Sequence, residues 1–231
     1  MGSSEGNLSR RLAAEGLGTA FLLATVIGSG IMGERLAAGN SALALLANSV
    51  ATGCGLTVLI AVFGPISGAH FNPLVSLAFA ARRRLRWRDA ASYALVQFVA
   101  AVVGVMAAHF MFDEPVLSAA VKARSGVHQL GSEFLATFGL LLVVWSSVEA
   151  RLAAAPALIG AYVTAAYWFT ASTSFANPAV TLARCFSNTL AGIRPDDVAA
   201  FIAAQAAGAG AGTLVSVWLW KTEIERRGGA A

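Results

Sequence analysis

Six polar residues capable of chemistry stand where polar residues are expensive. Glu15, Asn72 and Gln97 lie in long apolar stretches, and Glu133, Asn177 and Gln205 repeat that order further along. Each asparagine is followed by proline (Pro73, Pro178), and each glutamate has a threonine four residues on, Thr19 and Thr137. The segments FNPLVSLAF and ANPAVTLAR share Asn, Pro, Val, Leu and Ala at matching places, their asparagines 105 residues apart. A duplicated helix break in apolar sequence points to a transport site. The amides can donate to a hydroxylic solute. A carboxylate at membrane depth is either a proton carrier or a buried acceptor that holds nearby backbone.

An Asn-Pro step starts a helix, because Asn is a favoured cap and Pro at the first position forfeits no bond. From Asn72 the apolar run ends at Ala81, ahead of Arg82. Such a helix covers about 15 Å, half of the roughly 30 Å hydrocarbon core. Segments 64–71 and 170–176 are expected to be non-helical and to line a cavity, since unpaired backbone survives at membrane depth only against protein or water. Two half-helices entering from opposite faces meet N-terminus to N-terminus, where their dipoles repel cations. An ordinary turn competes as a reading of one Asn-Pro; two matching copies argue against it.

The elements that must position these residues follow from composition. The chain is 57% hydrophobic and 12% charged, with a mean hydropathy of +0.69, which places it in a lipid bilayer. Apolar stretches at 12–33, 41–63, 90–112, 130–148, 153–169 and 198–220 give six spans. The first is too long for a secretory signal and lacks a cleavage site. Gly6 occupies the place where a myristoylation signal beginning at Met1-Gly2 needs Ser or Thr. The expected fold is an all-α membrane protein with six transmembrane helices and two re-entrant half-helices, one domain over residues 1–231. Three spans and one half-helix per half invert the second half, giving repeats at about 8–112 and 130–221 with a linker at 113–129.

The net charge of +4 marks topology rather than nucleic-acid binding. With both termini cytoplasmic, Arg10, Arg11, the arginines of the run Arg82 to Arg88, Arg151, Lys221, Arg226 and Arg227 lie inside. Arg35, Lys122, Arg124, Arg184 and Arg194 then lie outside, eleven against five, as the positive-inside rule requires. Cys54 and Cys185 lack paired spacing for a metal site and are expected to be reduced packing residues. No cofactor, metal or enzyme constellation is expected. Helical glycines, above all Gly208, Gly210 and Gly212, are expected where helices approach closely.

The stretch Ser67-Gly68-Ala69-His70-Phe71-Asn72-Pro73 resembles the first pore loop of the major intrinsic protein family, the aquaporins and aquaglyceroporins, and Asn177-Pro178-Ala179 resembles the second. The Glu, Thr and Gln landmarks match that family's helices over nearly the whole chain. The resemblance implies one pore per subunit and a homotetramer in the inner (plasma) membrane. It also implies a pore-lining His70, a loop carbonyl of Ser174 at the outer constriction, and Glu15 and Glu133 as acceptors that hold the half-helices.

Two positions depart from the family pattern. Leu74 replaces an alanine and is expected to place a larger side chain beside the central junction. Val180 replaces the arginine that follows the second motif, which implies a wider, less polar filter open to bulkier neutral or weakly anionic solutes. Arg184, four residues on, either restores charge near the mouth or pairs with a loop carbonyl. Counting back from the asparagines gives Thr52 and Ala165 as further filter residues, whereas aligning the glycines gives Cys54 and Tyr167. His109 and His128 are expected to have no special role. The pattern is also similar to a bacterial branch associated with arsenic resistance, which implies a passive channel for water, glycerol and arsenite-like or methylated arsenical metalloids. The competing readings are a water-selective aquaporin, a proton-coupled transporter using Glu15 and Glu133, and a closed junction protein.

Overall fold

A computed structural model describes residues 8–220. Lys221, Arg226 and Arg227, like Met1, Gly2 and Gly6, fall outside the described residues. Within them the chain forms α1 (Leu8–Leu36), α2 (Ser41–Ser67), α3 (Pro73–Ala81), α4 (Trp87–Met111), α5 (Val127–Ala150), α6 (Ala155–Phe169), α7 (Pro178–Arg184) and α8 (Pro195–Leu219). Five of these are long and apolar enough to cross a membrane, and α6, with 15 residues, is the shorter sixth. Helices α3 and α7, with 9 and 7 residues, are the half-helices.

Helix α1 packs on α4, α5 on α8, and α2 on α6, while both half-helices lie against α4, α8 and each other. This is the two-fold pairing of an inverted repeat, with the short helices buried in the middle. Small residues permit it: a Cβ on Gly104 would collide with the backbone of Ala20, and one on Gly208 with that of Phe134. The expectation fails for Gly131 and Gly210, which face open space.

The loop before Asn72 is shorter than the sequence suggests. Helix α2 continues through Gly64 and Pro65 to Ser67, leaving only Gly68 to Phe71 non-helical before the Asn72 cap. Pro65 is exposed and costs α2 one backbone bond without ending it. Gly68, Ala69 and Phe71 then take positive φ (90°, 50° and 48°), which folds the chain back into the core.

Charges gather at the two ends. Arg11 pairs with Asp89 at 3.1 Å, and Arg82 and Arg84 with Glu149 at 3.1 and 3.0 Å, forming an arginine-rich end. Arg35 pairs with Glu114 and Arg194 with Asp197 at the opposite, linker end.

Candidate functional site

Each half-helix is held by a carboxylate from the first helix of its own half. Glu15 accepts from the backbone N–H groups of His70 (2.9 Å) and Phe71 (2.7 Å), from Ser67 Oγ (2.7 Å) and from Gln97 Nε2 (2.8 Å). Glu133 accepts from the N–H groups of Phe175 (2.8 Å) and Ala176 (2.9 Å) and from Gln205 Nε2 (2.6 Å). The glutamines also donate to Ser76 and Thr181 on the half-helices. Both carboxylates are fully buried and neither lines the central cavity.

The asparagines cap the half-helices and lock the halves together. Asn72 Oδ1 accepts from the N–H of Leu74, and Asn177 Oδ1 from those of Ala179 and Val180. The Nδ2 of Asn72 donates to the Ala176 carbonyl at 2.8 Å, and that of Asn177 to the Phe71 carbonyl at 2.7 Å. Each amide keeps one further N–H, with no acceptor among the described residues, and both asparagines line the cavity. Positive φ at Thr173, Ser174 and Ala176 matches that at Ala69 and Phe71. No described residue donates to the carbonyls of Gly68, Ala69, His70, Ser174 or Phe175, all from cavity-lining residues, so acceptors flank the two donors.

The cavity, about 200 Å³, runs past both asparagines. Toward the arginine-rich end its wall holds His70 and Phe79. His70 Nδ1 lies 3.0 Å from Ser76 Oγ, and its ring sits 4.4 Å from that of Phe79. Phe79 stacks on Trp145 at 4.7 Å, and the Arg82 guanidinium covers Trp145 at 4.1 Å. Toward the linker end the wall holds Thr52, Tyr167, Ser174, Val180 and Arg184, with Tyr167 OH 3.3 Å from Thr52 Oγ1. Arg184 is buried, donates Nε to the Ala191 carbonyl, and lays its guanidinium over the Phe175 ring at 3.4 Å. Its terminal nitrogens bond to no described residue, so it both pairs with a loop carbonyl and offers charge to the cavity.

Several expected residues sit elsewhere. Cys54 and Ala165 are exposed on the outer faces of α2 and α6 and do not line the cavity; the candidate pair there is Thr52 and Tyr167, one from each way of counting. Leu74 is buried in the core cluster that holds Leu140, Val144 and Ala176 and does not line the cavity, because the second position of α3 faces away from it. Pro73, Pro178 and Ala179 are likewise buried behind the wall. Exposed Cys54 is no interior packing residue, whereas Cys185 is buried. His109, expected to be idle, is fully buried and ties α4 to Val116 and Ser187 at 3.0 and 2.9 Å. Sequence reasoning also missed Val75, which lines the cavity three residues after Asn72 as Val180 does after Asn177. The valine shared by FNPLVSLAF and ANPAVTLAR was the signal.

The model of a family described as "Major intrinsic protein" matches residues 3–176. The chain belongs to the major intrinsic protein family. The matched stretch stops one residue short of Asn177, so the second half-helix of this family member is identified by its geometry. Relatives include aquaglyceroporin AqpS of Rhizobium meliloti (strain 1021), 51% identical over 215 residues, 93% of this chain and 92% of that one. Nodulin-26 of Glycine max is 30% identical over 137 residues, 58% of this chain and 49% of its own length. The aquaglyceroporin from Plasmodium falciparum, 17% identical, shares the fold, with a TM-score of 0.74 covering 97% of this chain and 100% of that one. This major intrinsic protein is therefore a multi-pass membrane channel for small solutes, not an enzyme.

Proposed function

We propose that the pore passes small uncharged solutes through a broadened filter made by Thr52, Tyr167, Ser174 and Val180, with Arg184 one turn further out. The observation that carries this reading is Val180, an apolar side chain on the cavity wall directly after Asn177-Pro178-Ala179. A solute crossing there meets the Ser174 carbonyl and the Tyr167 and Thr52 hydroxyls, with the cation of Arg184 set a turn further out rather than at Val180, so polyols and neutral hydroxylated metalloids fit as well as water. Kinship with an aquaglyceroporin supports glycerol, and neutral As(OH)3 presents hydroxyls much as a polyol does; methylated arsenicals extend the same class. Asn72, Asn177 and the paired helix N-termini exclude cations, His70 lines the inner half, and Glu15 and Glu133 are structural supports.

The arginine-rich end is the cytoplasmic one by charge bias, with both termini on that side, the chain in the inner membrane and four copies forming a homotetramer. Stopped-flow light scattering on proteoliposomes tests the substrate reading: glycerol and arsenite should enter along with water, and passage of water alone would overturn it. The water-selective alternative rests on the free nitrogens of Arg184. Arg184→Ala separates the two, since only a filter built on Arg184 loses its selectivity when that side chain is removed.

A further inference from the structure

A second cavity, about 360 Å³, adjoins the pore at its linker end and shares Arg184 with it. Its lining carries Lys122, Arg124 and Arg184 but no carboxylate. The buried Arg124 guanidinium donates to the carbonyls of Gly192 and Ser172 (both 2.8 Å) and Leu190 (3.2 Å), neutral acceptors that leave its charge uncancelled. Lys122 donates once, to the Leu190 carbonyl at 2.9 Å, and has two further protons. Arg184, 2% exposed, keeps its terminal nitrogens free of any described partner. Three cations held this close repel one another, and the carboxylates within reach, Glu34 near Lys122 and Glu133 near Arg124 and Arg184, offset only part of that repulsion.

The neighbouring carboxylates lie outside this cavity and have other partners: Glu133 accepts from Phe175, Ala176 and Gln205. Glu34 flanks Lys122 from α1 but accepts from the Leu190 N–H at 2.8 Å, and Arg35 and Glu114 satisfy each other at 2.9 Å. Asp197 is taken by Arg194 and by the backbone N–H of Arg124. We propose that this mouth binds a small divalent oxyanion between Lys122, Arg124 and Arg184, and that the bound anion obstructs the pore. It does not continue inward, because past Arg184 the wall is largely Val180, Leu56, Val26 and Ile60, and the Tyr167 and Thr52 hydroxyls and the two asparagine amides are too few donors to replace the water of a double charge. Burial, reinforced by Arg124 and Arg184 and opposed by Glu34, holds the Lys122 ammonium down at about 8. Arg124, held at about 10, stays charged as Lys122 titrates. Lys122 is therefore charged below its pKa and neutral above it, so anion affinity falls as pH rises through that value.

The test uses the full chain in detergent, titrated calorimetrically with sodium sulfate against sodium chloride of equal ionic strength; sulfate keeps its charge between pH 7 and pH 9. Saturable sulfate binding is expected, weakening by about five- to tenfold from pH 7 to pH 9, because the charged share of Lys122 falls about tenfold across a pKa of about 8 and its charge acts on a dianion. Lys122→Gln should show the weaker affinity at both pH values, and Lys122→Arg the stronger affinity at both. A thermal melt of each variant separates lost binding from misfolding. In proteoliposomes, external sulfate should slow osmotic water flux through the parent more than through Lys122→Gln, a readout independent of which larger solutes permeate. No saturable binding beyond chloride, or equal affinity in parent and Lys122→Gln, overturns the site; binding with unchanged water flux overturns the obstruction.

Discussion

The side-chain amide of Asn72 donates to the backbone carbonyl of Ala176 at 2.8 Å, 104 positions away in the chain. Asn177 returns the bond to Phe71 at 2.7 Å. Each asparagine thus caps its own half-helix and braces the other half's loop, which fixes the two free N–H groups in the cavity wall.

Asn177→Asp removes the donor to Phe71 and puts negative charge at the cation-repelling centre. We expect a stability loss of about 1–3 kcal/mol from the orphaned carbonyl and the buried charge, seen in thermal denaturation, and a sodium leak in vesicles that the parent lacks. An unchanged melt and no leak would show that the cross-brace is idle.

Glu133 takes two backbone N–H groups, Phe175 on one oxygen and Ala176 on the other. Glu133→Gln leaves a single acceptor oxygen, so one N–H is orphaned at about 1–3 kcal/mol and flux should fall with the melt. In the parent, flux should not change under a proton gradient, because neither Glu133 nor Glu15 lines the cavity. Gradient-dependent uptake would revive a proton-coupled transporter.

At Gly208 an added Cβ meets the Phe134 backbone, while at Gly210 it meets nothing within 4 Å. Gly208→Val should push α8 off α5 and abolish folded protein in size-exclusion chromatography. Gly210→Ala should fold normally and be slightly stabilised, by a few tenths to about 1 kcal/mol, through helix propensity.

Trp145 is fully buried between Phe79 and Arg82. Trp145→Ala should cost about 3–5 kcal/mol, measured by chemical denaturation, and should loosen Phe79 at the inner end of the cavity, raising water flux in whatever fraction folds. A loss below about 1 kcal/mol would mean that the stack carries little of the packing.

Much of this was legible because the chain states it twice. Asn-Pro steps fix where α3 and α7 begin, and matching Glu and Gln positions announce the two brackets around them. The filter was less legible for a geometric reason: the non-helical run is four residues before Asn72, from Gly68 to Phe71, but seven before Asn177, residues 170–176. Thr52 stands about a helix length before its asparagine and Tyr167 only a few residues beyond its loop, so any count back depends on helix and loop lengths that the spacing does not give, and each way of counting caught one. Leu74 and Val75 differ only in which side of α3 they occupy, a matter of helix rotation that spacing from a cap does not reveal without the neighbouring helices. Lys122 and Arg124 lie in a linker with no periodicity, and their convergence on Arg184 is purely tertiary.

The most direct test of the broadened filter is the ratio of glycerol to water permeability in proteoliposomes of the parent and of Val180→Arg. A guanidinium on that wall narrows the constriction and adds fixed donors, so glycerol flux should fall at least about tenfold, roughly 1.4 kcal/mol of added barrier, while water still passes. Glycerol flux unchanged in a well-folded Val180→Arg protein would contradict the assignment of selectivity to Val180.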